Sequence, residues 1–578
     1  MVFDERLSPA RVSAAAAAKL PRAVLLALIV AYIVSGLFGR DPWQEEDATG
    51  FGIMWTMART GEWLLPGVAG ELVAADGPLA FWVGAASIAL LGGAIGEISA
   101  ARLPAILWFF AAAGALWYAT LRLARREEAQ PVAFAFGGEA TSRDYGRMLA
   151  DVAVLLALGT LGPIVSLHET TSEPAAFALS CIAIYGLALS LERPYSGASL
   201  AGTAVGLLLL ARGAQPAVWL ALAAVPLAAC TQPRSVRLRA AALLLLCAAA
   251  VTGAWIAAVL ARHGEAGSAY LLDWATNCVR GFDWPTGAAL LWLLRSLPWY
   301  AWPLWPLAAW SVYAWRHGAS RPHIALGAAL LVAQLIGLLS TRSPSADDLL
   351  HIVAPLVLLA AFGAIALRRA AVNVIDWFAI TAFCLFMLAV WAYFIAMHTG
   401  LPPKMSHSVL RLTDGYVPPL DWLHVMIAAA ATAFWLALVN WRVRQPSGAL
   451  WRGPALAATG LVTLWVASSS LFLGAVDHRR SFAGVARAAA AEMARAGPPG
   501  DCVLAHHLRP SHRAVFAYHG AIRFATTADQ DCAFALHRDT AGLLLDDEQP
   551  PGRWTEIWQG HRPGRPDELV HLYRRAGD

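Results

Sequence analysis

Charged side chains are scarce in this chain: Asp, Glu, Lys and Arg make up 14% of 578 residues, against 58% hydrophobic, and the mean hydropathy is +0.54. That balance excludes a set of ordinary soluble domains and places the chain among membrane proteins. No basic footprint for nucleic acid is present, since the net charge is only +4 and the arginines are scattered between apolar runs. No His or Cys cluster has metal-ligand spacing, so no cofactor is expected, although a divalent cation held together with a substrate phosphate stays open. No internal repeat is visible, and a transporter would commonly show one. A cleavage site of small residues is missing after the first apolar run, Leu20 to Phe38. That run, preceded by Arg6, Arg11, Lys19 and Arg22, therefore reads as a retained first helix with a cytoplasmic N-terminus.

What is present is a succession of apolar runs from residue 20 to 474, each approaching the thickness of a bilayer's hydrocarbon. The expected fold is a polytopic α-helical membrane protein of about thirteen spans (1–474), followed by a small α/β extracytoplasmic domain (475–578). The basic segments LRLARREEAQ, TQPRSVRLR, WRHGASRPH, LRRAAVN and WRVRQPSGALWRG are assigned to the cytoplasm. HETTSEP, the stretch from Arg262 to Leu290, STRSPSADD and TGLPPKMSHSVLRLTDGYVPP then fall outside. An external tail needs an odd number of crossings, so one of the runs 79–97 and 104–122 is expected to be short, re-entrant or tilted along the interface. In the tail, Val503 to Ala505, Ile522 to Ala525, Leu543 to Leu545 and Leu569 to Tyr573 read as strands, and Phe482 to Ala496 and Arg513 to Tyr518 as helices. Outside the cytoplasm, Cys502 and Cys532 are candidates for a disulfide; two buried thiols are the alternative.

The loop 39–78 carries the chemistry. It holds Asp41, Glu45, Glu46 and Asp47 just beyond the first span, then the run Phe51 to Met57, whose apolar faces suit a helix lying on a membrane surface. Four acids in seven residues exceed what hydration of a loop requires, although a hydrated loop is the plain alternative.

From here the sequence resembles the GT-C class of polyprenyl-phosphate-dependent glycosyltransferases, within it the bacterial aminoarabinose transferase and protein mannosyltransferase group. The likeness rests on EEDA, then MARTGEWLLP (Met57 to Pro66), ADGPLAFW (Ala75 to Trp82) and SAARLPAILW (Ser99 to Trp108), in the family's order over about seventy residues. Three departures stand out. The family's Asp-Glu pair falls on Glu46 and Asp47 in reversed order, its following Arg is Thr49, and its Glu-Lys-Pro-Pro segment is Ala75, Asp76, Gly77 and Pro78.

The resemblance implies transfer of a sugar from a polyprenyl-phosphate carrier to a lipid, glycan or protein acceptor at the periplasmic face of a bacterial inner membrane, with inversion at the anomeric carbon. Such a reaction needs a base for the acceptor hydroxyl and positive charge for the departing phosphate. Asp47 or Glu46 is the expected base, with Asp76 as a further polar contact. Arg59, Arg280, Arg342, Lys404 and Arg411 are the external cations available for phosphate. His168, Glu169 and Glu173 in HETTSEP are candidates for substrate contact, while Glu173 beside Pro174 has the ordinary alternative of serving a helix N-terminus. Asp347, Asp348 and His351 form a weaker constellation near Arg342. A transporter or flippase for a lipid-linked or small polar substrate, and a non-catalytic scaffold presenting its tail, are the competing classes.

Overall fold

The computed structural model describes residues 8–43, 45–230, 234–444, 448–497, 502–526, 531–539 and 554–575. The apolar runs become helices because hydrocarbon offers the backbone no hydrogen-bond partner beyond the helix's own ladder. Among the described residues, nine helices have the length and hydropathy to cross a bilayer. Shorter apolar helices, Arg22–Val34, Leu79–Ile95 and Ala214–Ala224, accompany them. The protein is thus a multi-pass membrane protein. Glu173–Ser190 lies at the centre, with 89% of its apolar window buried. Trp422–Arg444, with 11% buried, lies at the lipid-facing edge.

One of the shorter helices does not cross. The helix Leu79–Ile95 starts just after Gly77, where an added Cβ would lie 2.2 Å from the Leu210 carbonyl. It ends at Gly96, whose φ of +85° turns the chain sharply into Glu97–Ala124. Glu97 accepts hydrogen bonds from Trp55 and Arg59 of the Glu45–Thr60 helix. Both ends of Leu79–Ile95 therefore sit on one face of the bundle, and the helix runs along that face rather than through the membrane. Of the two runs in question, 79–97 is the one that does not cross.

Basic segments meet one another and the N-terminal stretch away from this helix: Arg321 donates to the Glu128 carbonyl and Trp451 to the Ala18 carbonyl. The stretch 262–290, expected as a loop, is largely helical. Arg234–Arg280 continues through it, broken only by the non-helical backbone of Gly264.

Phe51 to Met57 does not lie on a membrane surface. Phe51, Ile53, Met54 and Met57 are buried because protein covers both apolar sides of Glu45–Thr60: Leu79–Ile95 on one and the C-terminal domain on the other. Beyond it, the strands β1 (Gly67–Val68) and β2 (Glu71–Leu72) form a short antiparallel hairpin.

The last traverse, Arg452–Arg480, runs past residue 474 and leads into the helix Ala483–Ala496. The C-terminal sheet is built from β3 (Val503–His506), β4 (Phe534–Asp539), β5 (Trp554–His561) and β6 (Leu569–Arg575) in the order β3-β4-β6-β5, with only β3 and β4 parallel. Ile522 to Ala525 contributes a single bridge, Phe524 to Val503, instead of a full strand. Leu543 to Leu545 lies outside the described residues. Ala483–Ala496 and Pro510–Gly520 cover one side of the sheet, and Ala48 enters the same core with Phe516, Phe534 and Leu572. Cys502 and Cys532 are disulfide-bonded at the start of β3 and just before β4.

A cross-link closing a loop of this length stabilises by about 3 kcal/mol, chiefly through the unfolded chain. Replacing both Cys502 and Cys532 by Ser is expected to hasten proteolysis of the C-terminal domain. Reductant should reproduce that effect in the wild type and add nothing in the variant.

Candidate active site

The three consecutive acids at the start of Glu45–Thr60 point three ways, because successive residues of a helix are about 100° apart. Glu45 pairs with Arg509 of the C-terminal domain. Asp47 points into the protein and is fully buried. Glu46 opens into a cavity of about 240 Å³.

Asp47 is saturated. One carboxylate oxygen accepts from the Thr170 N–H and hydroxyl, both at 2.7 Å. The other accepts from Arg40 and Arg102, both at 3.1 Å. Each guanidinium reaches further: Arg40 to the Gly36 and His168 carbonyls, Arg102 to the Leu37 and Asp41 carbonyls. Burial pushes the Asp47 carboxyl up, but Arg102, Arg40 and Thr170 outweigh it and hold it below the usual carboxylate value. The 168–173 loop can approach this closely only because residue 50 is glycine: a Cβ there would lie 2.0 Å from the Thr170 carbonyl.

Glu46 shares its cavity with Arg212, Asp348, Gln215 and Asn277. Water reaches its carboxylate, yet protein encloses it on most sides. That enclosure raises its pKa. Arg212 opposes the rise, and Asp347, Asp76 and Asp348 add to it. Arg212, in the last turn of Pro194–Arg212, is the hub of the cavity. It pairs with Glu173, with Asp76 at 3.1 Å and with Asp348 at 3.7 Å. Ser172 donates to Asp76 at 2.6 Å, and Ser345 holds Asp348 through its N–H and hydroxyl. His351 lies 3.9 Å from the second oxygen of Glu173, and Ser166 donates to Asp347 at 2.5 Å. Loops far apart in sequence thus converge on one guanidinium.

The remaining candidates divide. His168 is buried against the Ile164 and Tyr32 carbonyls and is pushed down to about 4 by burial, so it is neutral. Glu169 is buried and held well above the carboxylate range by burial, Asp47 and Asp347. Arg280 and Arg342 are exposed, next to the cavity-lining Gly281, Thr341 and Ser343. Arg59 is turned away and pairs with Glu97 at 3.0 Å. Lys404 and Arg411 belong to the surface helix Pro403–Leu412, whose Ser408 and Leu412 line a different, larger groove. Among the described residues no group of three or more His, Cys, Asp or Glu side chains is arranged to hold a metal ion.

Arg40, Arg102 and Arg212 are not among the candidates that the sequence suggests. Two of them do carry a signal: a lone arginine in or at the end of a long apolar helix is costly unless paired. Arg102 follows SAA, and Arg212 follows LLLLA.

No protein-family model and no curated protein sequence matches the chain. Among solved structures its fold is similar to that of ArnT from Cupriavidus metallidurans bound to undecaprenyl phosphate, with a TM-score of 0.66 and 16% identity over 95% of this chain and 97% of that one. The apo state of the same protein gives a TM-score of 0.65 at 15% identity, with the same coverage. The likeness is one of fold: a many-helix apolar body with a small C-terminal sheet domain.

The geometry separates the two adjacent acids by their effect on stability. Asp47→Asn strands two buried guanidinium groups and is expected to destabilise by about 3–5 kcal/mol. Glu46→Gln, with its carboxylate open to a cavity, is expected to stay within about 0.5 kcal/mol. Thermal unfolding of the two purified variants beside wild type measures the difference.

Proposed function

We propose that this protein is a membrane glycosyltransferase that moves a sugar from a polyprenyl-phosphate carrier to an acceptor hydroxyl, with Glu46 as the base. The observation that carries this is the single free acid of the helix: Glu45 and Asp47 are tied elsewhere, and Glu46 alone faces the cavity. The likeness in fold to a protein crystallised with undecaprenyl phosphate supports the choice of donor class.

In the proposed step the acceptor oxygen attacks the anomeric carbon and its proton passes to Glu46. The bond from the anomeric carbon to the phosphate oxygen breaks, and polyprenyl phosphate leaves with the bonding pair. A single displacement of this kind inverts the anomeric centre. A positioned base contributes typically about 10² to 10⁴ in rate. The raised pKa of Glu46 suits a base that must hold a proton during transfer and give it up afterwards. Asp47 acts as a positioning residue through the Arg40, Arg102 and Thr170 contacts. Arg212 orients Asp76, Asp348 and Glu173 along the wall. Arg280 and Arg342, at the rim, supply positive charge for the phosphate. No cofactor is required in this scheme. The face carrying the site is periplasmic in a bacterial inner membrane, because the arginine-rich loops meet one another away from it.

The test is release of free polyprenyl phosphate from a panel of labelled polyprenyl-phosphate sugars by the full-length protein in lipid. Release from one donor in wild type, reduced by about 10² or more in Glu46→Gln with an unchanged melting temperature, is expected. Absence of release from every donor, with donor carried across the bilayer, would assign the protein to transport instead.

A pH profile adds a second check. Glu46 must be ionised to act, and its pKa lies above the ordinary carboxylate value of about 4.3. Wild-type kcat/KM is therefore expected to fall as pH drops through that raised value, giving an acidic limb displaced toward neutrality. A rate unchanged down to pH about 4 would remove Glu46 from the role.

A further inference from the structure

A second cavity is larger than the one that Glu46 enters. A groove of about 1030 Å³ lies on the other side of the first turn of Glu45–Thr60, reached by Glu45 and Ala48 instead of Glu46. Its two halves differ in kind. One half is apolar and set among membrane-crossing helices, with Phe386, Val390 and Tyr393 from Arg369–Thr399 and Leu464 and Phe472 from Arg452–Arg480. The other half is a rim of five arginines, Arg479 and Arg480 at the end of the last traverse and Arg538, Arg562 and Arg565 on the C-terminal domain.

Among the described residues, the rim carries more positive charge than its acids neutralise. Glu568 serves two of the arginines, Arg562 at 2.9 Å and Arg538 at 3.9 Å. Arg565 has a loose contact with Asp567 at 3.4 Å. Arg479 donates to the Leu412 carbonyl and Arg480 lies over the Trp43 ring; neither has an acidic partner among the described residues. Glu45, at the edge, is already engaged by Arg509. The field is felt by His512 in the wall, which is pushed down to about 3 by burial and then by Arg538, Arg509 and Arg562.

We propose that this groove binds a membrane lipid with an anionic phosphate headgroup, its chains against the Phe386, Val390 and Phe472 wall and its phosphate among Arg480, Arg565 and their neighbours. A soluble anion would leave the apolar half wet, and a neutral lipid would leave the arginines unmatched. Only an amphiphile with a negative head fits both ends. The binding is independent of the transferase reading, because none of these residues lines the cavity at Glu46.

The experiment counts lipids that stay with the full-length protein when it is moved from nanodiscs of equal phosphatidylglycerol and phosphatidylcholine, with matched chains, into a neutral detergent. Native mass spectrometry is the readout. Wild type is expected to retain phosphatidylglycerol in preference to phosphatidylcholine. The preference should fall by about five-fold for each arginine removed in Arg480→Gln and Arg565→Gln. Ser468 of Arg452–Arg480 also lines the apolar half; Ser468→Trp, which fills that half without altering charge, should lower retention of the bound lipid altogether. Equal retention of the two lipids by wild type would overturn the proposal, as would a preference that survives both the paired arginine changes and Ser468→Trp.

Discussion

The ion cluster of Arg40, Asp47 and Arg102 is the constraint on which the rest of the site depends. A carboxylate this deeply buried is tolerated only when its lone pairs are filled, and here Thr170 fills two positions and the arginines the others. The two guanidinium groups also bind backbone carbonyls of the turn after the first traverse and of the 168–173 loop. Four segments are thereby fixed to one another at one point: the end of the first helix, the start of Glu45–Thr60, the helix Glu97–Ala124 and the loop before Glu173.

With Asp47 held, the rotation of Glu45–Thr60 is no longer free, and the directions of its neighbours follow from helix geometry alone. Glu45 must face the C-terminal domain and Glu46 the cavity. The same helix separates two spaces of different character. The small polar one is walled by acids gathered on Arg212, and the large amphipathic one is rimmed by arginine. The C-terminal domain closes over the helix, and because Ala48 belongs to its core it cannot move as an independent body without disturbing the site. A domain at the far end of the chain thus acts as part of the wall around a loop near its beginning.

Several features are legible in the amino-acid order alone. Composition and the spacing of apolar runs point to the membrane class, and charge density singles out the acidic loop. Other expectations fail for identifiable reasons. The run Phe51 to Met57 suggests a membrane surface because amphipathicity reports that a face is covered without saying by what; here it is the C-terminal domain and Leu79–Ile95. Ile522 to Ala525 reads as a strand, but only Phe524 finds a partner, since strand pairing is decided by neighbours remote in sequence. Arg212 escapes a sequence reading because its importance lies in Asp76, Glu173 and Asp348, none of which is within thirty residues of it.

What the sequence determined by itself is whatever depends on composition and local period: that the chain is helical and membrane-embedded, which loops are basic, and that residues 41–47 carry an unusual density of acid. The tertiary structure alone decided which acid is free. Glu46 and Asp47 are adjacent and chemically alike, and nothing local distinguishes them. One becomes a buried ion-pair partner and the other faces a cavity, because the arginines and the threonine that select between them arrive from residues 40, 102 and 170 and meet only when the helices pack.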